Sequence, residues 1–205
     1  RSREGETLFI RADRARMRLG RFTAGAAFED IDVGALNPTC AVPRGGDIVL
    51  TGWYPDRLAE LYYYKDGAIE QLTDFNGQLW EDCDFSSCEA LSVRAGEGEV
   101  SGWVMKPRGF SPDGKYPGIL NIHGGPHGYI TDTFSSEHQR WCAEGYFVFF
   151  CNPHGSTSFG RDYLNVCADL GGRDYRELMA FTGAVLEKYP EIDAKRLGVT
   201  GQSYG

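Results

Sequence analysis

Short runs of β-branched and aromatic residues, separated by turn formers, occupy the first third of the chain. They are Thr7-Leu-Phe-Ile-Arg11, Arg16-Met-Arg-Leu-Gly-Arg-Phe22, Asp47-Ile-Val-Leu-Thr-Gly-Trp53 and Glu60-Leu-Tyr-Tyr-Tyr64. Runs of this length bounded by signals such as Lys65-Asp66-Gly67 predict strands. The pattern also repeats: Leu8 and Leu50, Leu19 and Leu61, Gly25 and Gly67, and Ala26 and Ala68 each lie 42 residues apart. A period of about 40 to 45 residues of short antiparallel strands is what propeller blades produce, and an ordinary β-meander is the alternative reading. Two blades cannot close a ring, so this segment reads as the tail end of a larger propeller.

The pattern changes beyond Leu72-Thr-Asp-Phe-Asn-Gly-Gln78, which reads as the exit from the last blade, with the crossing into a second region at about Cys83 to Glu89. Val100 to Lys106 predicts a strand, and Gly109 to Lys115 a loop of turn formers. Gly118-Ile-Leu-Asn-Ile-His123 and Tyr146-Phe-Val-Phe-Phe-Cys151 are nearly continuous apolar runs of the kind buried in parallel sheets. A helix is expected between them, from about Phe134 to Ala143. A second helix is expected over Asp174 to Tyr189, where Tyr175, Leu178, Met179, Thr182, Val185 and Leu186 recur at spacings of three and four before Pro190. Arg196 to Thr200 predicts the next strand. Strands alternating with helices make an open α/β sheet.

That last strand runs into Gly201-Gln-Ser-Tyr-Gly205, a Gly-x-Ser-x-Gly pattern. A serine lifted onto a strand-to-helix elbow has strained backbone dihedrals, and side chains two residues to either side would collide with neighbouring backbone. Ser203 is therefore the candidate nucleophile. A serine hydrolase also needs two donors aimed at the oxyanion that develops on the substrate carbonyl. One is expected from the N–H of Tyr204. The other is expected from the glycine loop His123-Gly-Gly-Pro126, where Gly125 is preferred and Gly124 is next. His123 reads as a strand-end histidine bracing that loop. His154, after the following strand, reads as lining the same cleft, as does Gln202 beside the nucleophile. All four histidines precede Ser203. In this architecture the acid and the histidine follow the serine, so the triad Asp and His are expected beyond Gly205 and the chain reads as truncated at both ends. The expected fold is a β-propeller fragment (the last blades) over residues 1–82, followed by the N-terminal part of an α/β-hydrolase domain with a mostly parallel sheet over 83–205.

Composition narrows the partners. The 205 residues are 41% hydrophobic and 13% aromatic, which suits a globular protein with ample core, and the formal net charge of −8 weighs against nucleic acid or an anionic membrane. No apolar stretch is long enough to span a bilayer. Of the six cysteines, Cys40, Cys83, Cys88, Cys142, Cys151 and Cys167, none forms a C-x-x-C pair, so no metal site is expected. His123 and His127 are four apart, but Gly-Gly-Pro between them rules out a shared helix face. Cys142 and Cys151 sit in apolar patterns where thiols behave as small hydrophobes, pointing to a reduced, cytoplasmic setting; a Cys83–Cys88 bridge is the reading for a secreted protein. The opening Arg1-Ser-Arg-Glu-Gly5 lacks the apolar core of a signal peptide.

From about residue 88 the chain closely resembles the hydrolase domain of the prolyl oligopeptidase family, in its acylaminoacyl-peptidase and dipeptidyl-peptidase-like branch. The resemblance rests on Ser101-Gly-Trp-Val-Met-Lys-Pro107, Tyr116 to His127, Asn152-Pro-His-Gly-Ser-Thr-Ser-Phe-Gly160, Asp169 to Met179 and Arg196 to Gly205. It implies a serine peptidase acting on short peptides without a cofactor, with a propeller ahead of the hydrolase domain that covers the active site and admits small substrates. Self-association into a homo-oligomer stays open. The family usually has Arg where His154 stands, Trp where Leu170 stands and often Gly where Gln202 stands, and the last departure bears on the acyl pocket. The rival readings are an esterase or lipase on the same fold and a non-catalytic scaffold.

Overall fold

The computed structural model describes residues 5–96, 98–166 and 169–205. Cys167 and the first four residues, named above, lie outside the described residues. The chain divides into two compact units, Arg1–Cys83 and Asp84–Gly205, a division one residue later than 82/83.

The first unit is built of antiparallel meanders. Strands β1 (Glu6–Asp13), β2 (Arg16–Thr23) and β3 (Glu29–Ile31) form one sheet, and β4 (Asn37–Arg44), β5 (Asp47–Tyr54), β6 (Arg57–Lys65) and β7 (Ala68–Gln71) form a second. Leu19 of the first sheet, Ile48, Leu50 and Tyr62 of the second, and Val33 and Leu36 from the connection between β3 and β4 make one buried core. The 42-residue repeat places β1 on β5 and β2 on β6, with a slip. Leu50 pairs with Tyr62, and it is Tyr62 that is buried, while Leu61 is half-buried. Because side chains alternate across a sheet, a one-residue slip turns the matched leucine away from the core. Pro38 and Pro43 masked β4 in the sequence. It lies at the edge of its sheet, where proline is tolerated, and its pairing is irregular between Pro38 and Cys40. A short helix, α1 (Gly77–Asp82), follows, and the N–H and side chain of Asn76 before it both reach Glu60 Oε1 at 2.9 Å.

The second unit holds a five-stranded sheet. Its members are β8 (Cys88–Ala95), β9 (Gly98–Met105), β10 (Tyr116–Ile122), β11 (Phe147–Asn152) and β12 (Ile192–Gly201), in the order β8-β9-β11-β10-β12. β10 runs parallel to both β11 and β12, whereas β9 is antiparallel to β8 and β11. The described sheet is thus mixed rather than mostly parallel, because Cys88 to Ala95, part of it read as a crossing segment, forms a hairpin strand with β9. All six residues of β11 are buried, as their apolar run requires. Among the described strands β12 stands at the opposite end of this order, beside β10.

Helix α2 (Ser136–Ala143) is capped by Ser135, whose Oγ accepts the N–H of His138 at 3.2 Å. The one-turn α3 (Arg161–Leu164) and the long α4 (Arg173–Lys188) complete the unit. Phe181 and Val185 of α4 join Val100, Val104, Leu120, Phe147 and Phe149 in the core. The buried stripe of α4 is Asp174, Glu177, Phe181 and Val185; Tyr175 and Met179, expected on the inner face, are exposed. The helix is rotated so that two carboxylates face inward, and both find donors on the loops that build the site. Among the described cysteines Cys83 and Cys88 are separate free thiols, and burial lifts the Cys142 thiol to about 11.

Candidate active site

The two parallel strands β10 and β12 pair from Gly118–Leu197 to Ile122–Gly201, so they end side by side. The glycine loop leaves the end of one and the serine turn leaves the end of the other. This is where an open α/β sheet binds its ligands, outside the carboxyl ends of its strands.

Ser203 has φ 61°, a left-handed conformation that an ordinary side chain adopts only when its surroundings impose it. Its neighbours leave no room for another path. A Cβ on Gly201 would stand 2.2 Å from the carbonyl carbon of Gly205, and one on Gly205 would stand 2.2 Å from the carbonyl oxygen of Ile122. The turn is closed by the N–H of Gly205 donating to the Gln202 carbonyl at 3.1 Å.

Gly124 brings the loop against this turn. A Cβ there would lie 2.8 Å from the Gln202 carbonyl oxygen and 3.4 Å from Ser203 Cβ. Next to it, Gly125 has φ 145° and packs on the backbone N–H groups of His127 and Gly128, both 2.4 Å from where its Cβ would be. His123 holds the loop from below. Its Nδ1 is 2.9 Å from the Gly124 carbonyl oxygen and its Nε2 is 2.9 Å from Ser156 Oγ. Burial lowers the pKa of His123, against the opposing pull of the Gly124 carbonyl; since that carbonyl can only accept, it is Nδ1–H that donates to it. His127 turns away, with Nδ1 on the Gly155 carbonyl at 2.9 Å.

A cavity of about 370 Å³ opens beside the turn. His123, Pro126, His154, Leu170, Asp174 and Tyr204 are among its walls. His154 lies there with its ring stacked 3.8 Å from that of Tyr163. Gln202 is exposed, and what it brings to Gly124 is its backbone carbonyl. Residue by residue, the structure brings Ser203, Tyr204, Gly124 and the cavity wall at His154 to one end of the sheet.

The sequence reading missed Asp174 and Glu177. Asp174 Oδ2 accepts the Tyr204 hydroxyl at 2.5 Å, and Glu177 holds the His154 loop. The signal was present: the two carboxylates stand three apart and continue to Phe181 and Val185 in steps of four, which marks one helix face.

Residues 132–205 match the prolyl oligopeptidase family. The chain is 42% identical over 154 residues to the uncharacterized peptidase YuxL of Bacillus subtilis, covering 74% of this chain and 23% of that protein. It is 30% identical over 148 residues to dipeptidyl-peptidase 5 of Porphyromonas gingivalis, covering 69% of this chain and 21% of that one. The matched part therefore spans less than a quarter of either relative. Among solved structures, the acylaminoacyl peptidase of Pyrococcus horikoshii superposes with a TM-score of 0.90 at 26% identity, over 99% of this chain and 33% of its own.

Proposed function

This chain belongs to the prolyl oligopeptidase family, and on that premise we propose that it supplies the nucleophile and oxyanion loop of a serine peptidase acting on short peptides. Acylaminoacyl and dipeptidyl substrates are suggested by the names of its relatives. The observation that carries the reading is the left-handed Ser203, held within a Cβ's reach of Gly124.

In the proposed reaction Ser203 Oγ attacks the scissile carbonyl carbon and gives up its proton to a histidine. The carbonyl oxygen becomes an oxyanion between the N–H groups of Tyr204 and Gly125. Collapse breaks the C–N bond, the histidine returns the proton to the departing amine, and an acyl ester remains on Ser203 until water releases it. That histidine and the aspartate that orients it are assigned to polypeptide beyond the elbow. The repeated meanders of the first unit are read as propeller blades.

The test is labelling of the full-length polypeptide with a fluorophosphonate, alongside turnover of acylated and free-amine peptide anilides and a p-nitrophenyl ester. Labelling lost in Ser203→Ala, with anilide turnover, supports the reading. Undiminished labelling of the variant places the nucleophile elsewhere, and ester turnover alone makes the protein an esterase.

A further inference from the structure

Asp174 is an unusual residue to bury. It sits in the first turn of α4, is 4% exposed, and directs both oxygens at named donors. Oδ1 accepts the N–H of Tyr175 at 2.9 Å, and Oδ2 accepts the phenol of Tyr204 at 2.5 Å across thirty residues of sequence. The amino end of a sixteen-residue helix favours a carboxylate there, which offsets part of its burial.

Tyr204 is the residue whose backbone N–H faces the proposed oxyanion. Its hydroxyl donates to Asp174 Oδ2, which ties the far end of its side chain to the first turn of α4. Directly before it stands Ser203 at φ 61°, a conformation that persists only where the surroundings overdetermine it. A tether on the Tyr204 phenol restrains the residue from one end and thereby the Ser203–Tyr204 peptide at the other.

We propose that Asp174 is a positioning residue: through the Tyr204 hydroxyl it holds the elbow, and so aims the Tyr204 N–H at the oxyanion. The role in turnover rests on the peptidase reading above; the tether itself does not. A group that acts only on transition-state geometry changes kcat and kcat/KM together and leaves KM unchanged. Removing a whole oxyanion donor costs about 100- to 1000-fold. Loosening one is expected to cost about 10- to 50-fold.

The experiment compares Asp174→Ala, Asp174→Asn and Tyr204→Phe with the wild type in the full-length polypeptide. The expected result is a matching fall in kcat for Asp174→Ala and Tyr204→Phe, with KM within about twofold. The double variant is no worse than either single one, and Asp174→Asn, which keeps an acceptor, is partly restored. Unchanged kcat in folded Tyr204→Phe, or a loss confined to KM, overturns the proposal. Tyr204→Phe keeps the ring, so it covers the case in which the Asp174 variants fail to fold. Ultraviolet titration gives a readout that needs no turnover. The phenol missing from Tyr204→Phe should ionise above the ordinary tyrosine range in the wild type, as its bond to Asp174 requires, and return towards that range in Asp174→Asn. An ordinary phenol, unmoved by Asp174→Asn, removes the tether and with it the proposal. Absent fluorophosphonate labelling of the wild type defeats the peptidase reading alone.

Discussion

Glu177 holds His154 at two points. One carboxylate oxygen accepts the His154 backbone N–H at 2.7 Å, and the other lies 2.6 Å from the imidazole Nδ1, a close contact rather than a well-aligned hydrogen bond. The same Oε1 also accepts Arg173 Nε at 3.0 Å. Burial, foremost, keeps the pKa of His154 below its ordinary value, against the attraction of Glu177 and with the repulsion of Arg173. Removing the carboxylate strands a buried N–H and takes away the negative charge beside a buried imidazole. Glu177→Ala should cost about 3 kcal/mol in urea unfolding. Glu177→Gln, which keeps one acceptor, should cost about half as much. Losses below about 0.5 kcal/mol in both variants would show that the His154 loop is held by other contacts.

The contact of Gly201 with Gly205 predicts a steric failure. Methyl groups that would stand 2.2 Å from backbone carbon or oxygen cannot be absorbed by a side-chain movement. Gly201→Ala and Gly205→Ala should each destabilise by about 3 kcal/mol or open the turn, abolishing fluorophosphonate labelling in either case. Wild-type labelling and melting of either variant would contradict this packing.

The left-handed Ser203 predicts a difference in stability between two substitutions. Glycine occupies φ 61° without the Cβ penalty, so Ser203→Gly should be more stable than Ser203→Ala by about 1 kcal/mol. Thermal melts of the two variants measure the difference. A more stable alanine variant would mean the turn relaxes.

His138 predicts a window of acid sensitivity. It stacks on Phe150 and Trp141, with Nε2 3.2 Å from Asn121 Oδ1. Burial lowers its pKa from 6.5 to about 4. The unfolded chain takes up the proton first, so stability is intact above pH 6.5 and is lost as pH falls towards 4. The loss attributable to this residue is roughly 3 kcal/mol. Comparing wild type with His138→Gln isolates it: the slope of stability against pH between those limits should fall by about one proton. An unchanged slope would assign the acid sensitivity to other groups.

His123 predicts a kinetic effect without a binding one. It holds the Gly124 carbonyl, and in a planar trans peptide the N–H of Gly125 points the opposite way. His123→Ala should lower kcat about 10-fold with KM within about twofold, and His123→Gln should recover part of it. A rise in KM alone would place His123 in substrate binding.

What could be read in the chain itself is what depends on local spacing. The apolar runs at Gly118 to Ile122 and Phe147 to Cys151, the serine–glycine turn and the His123-Gly-Gly loop follow from which residues stand next to which. A period of 42 was visible because leucine and glycine recur at it. Tertiary structure alone decided which side of each element faces inward. Tyr62 rather than Leu61 entered the core because strand register is set by the partner strand. Likewise α4 turned Asp174 and Glu177 inward, although Tyr175 and Met179 are the more apolar. That choice was made by donors distant in sequence: the phenol of Tyr204 thirty residues on and the N–H of His154 twenty-three residues back. A carboxylate is costly to bury until such donors meet it, and their meeting is a property of the folded chain.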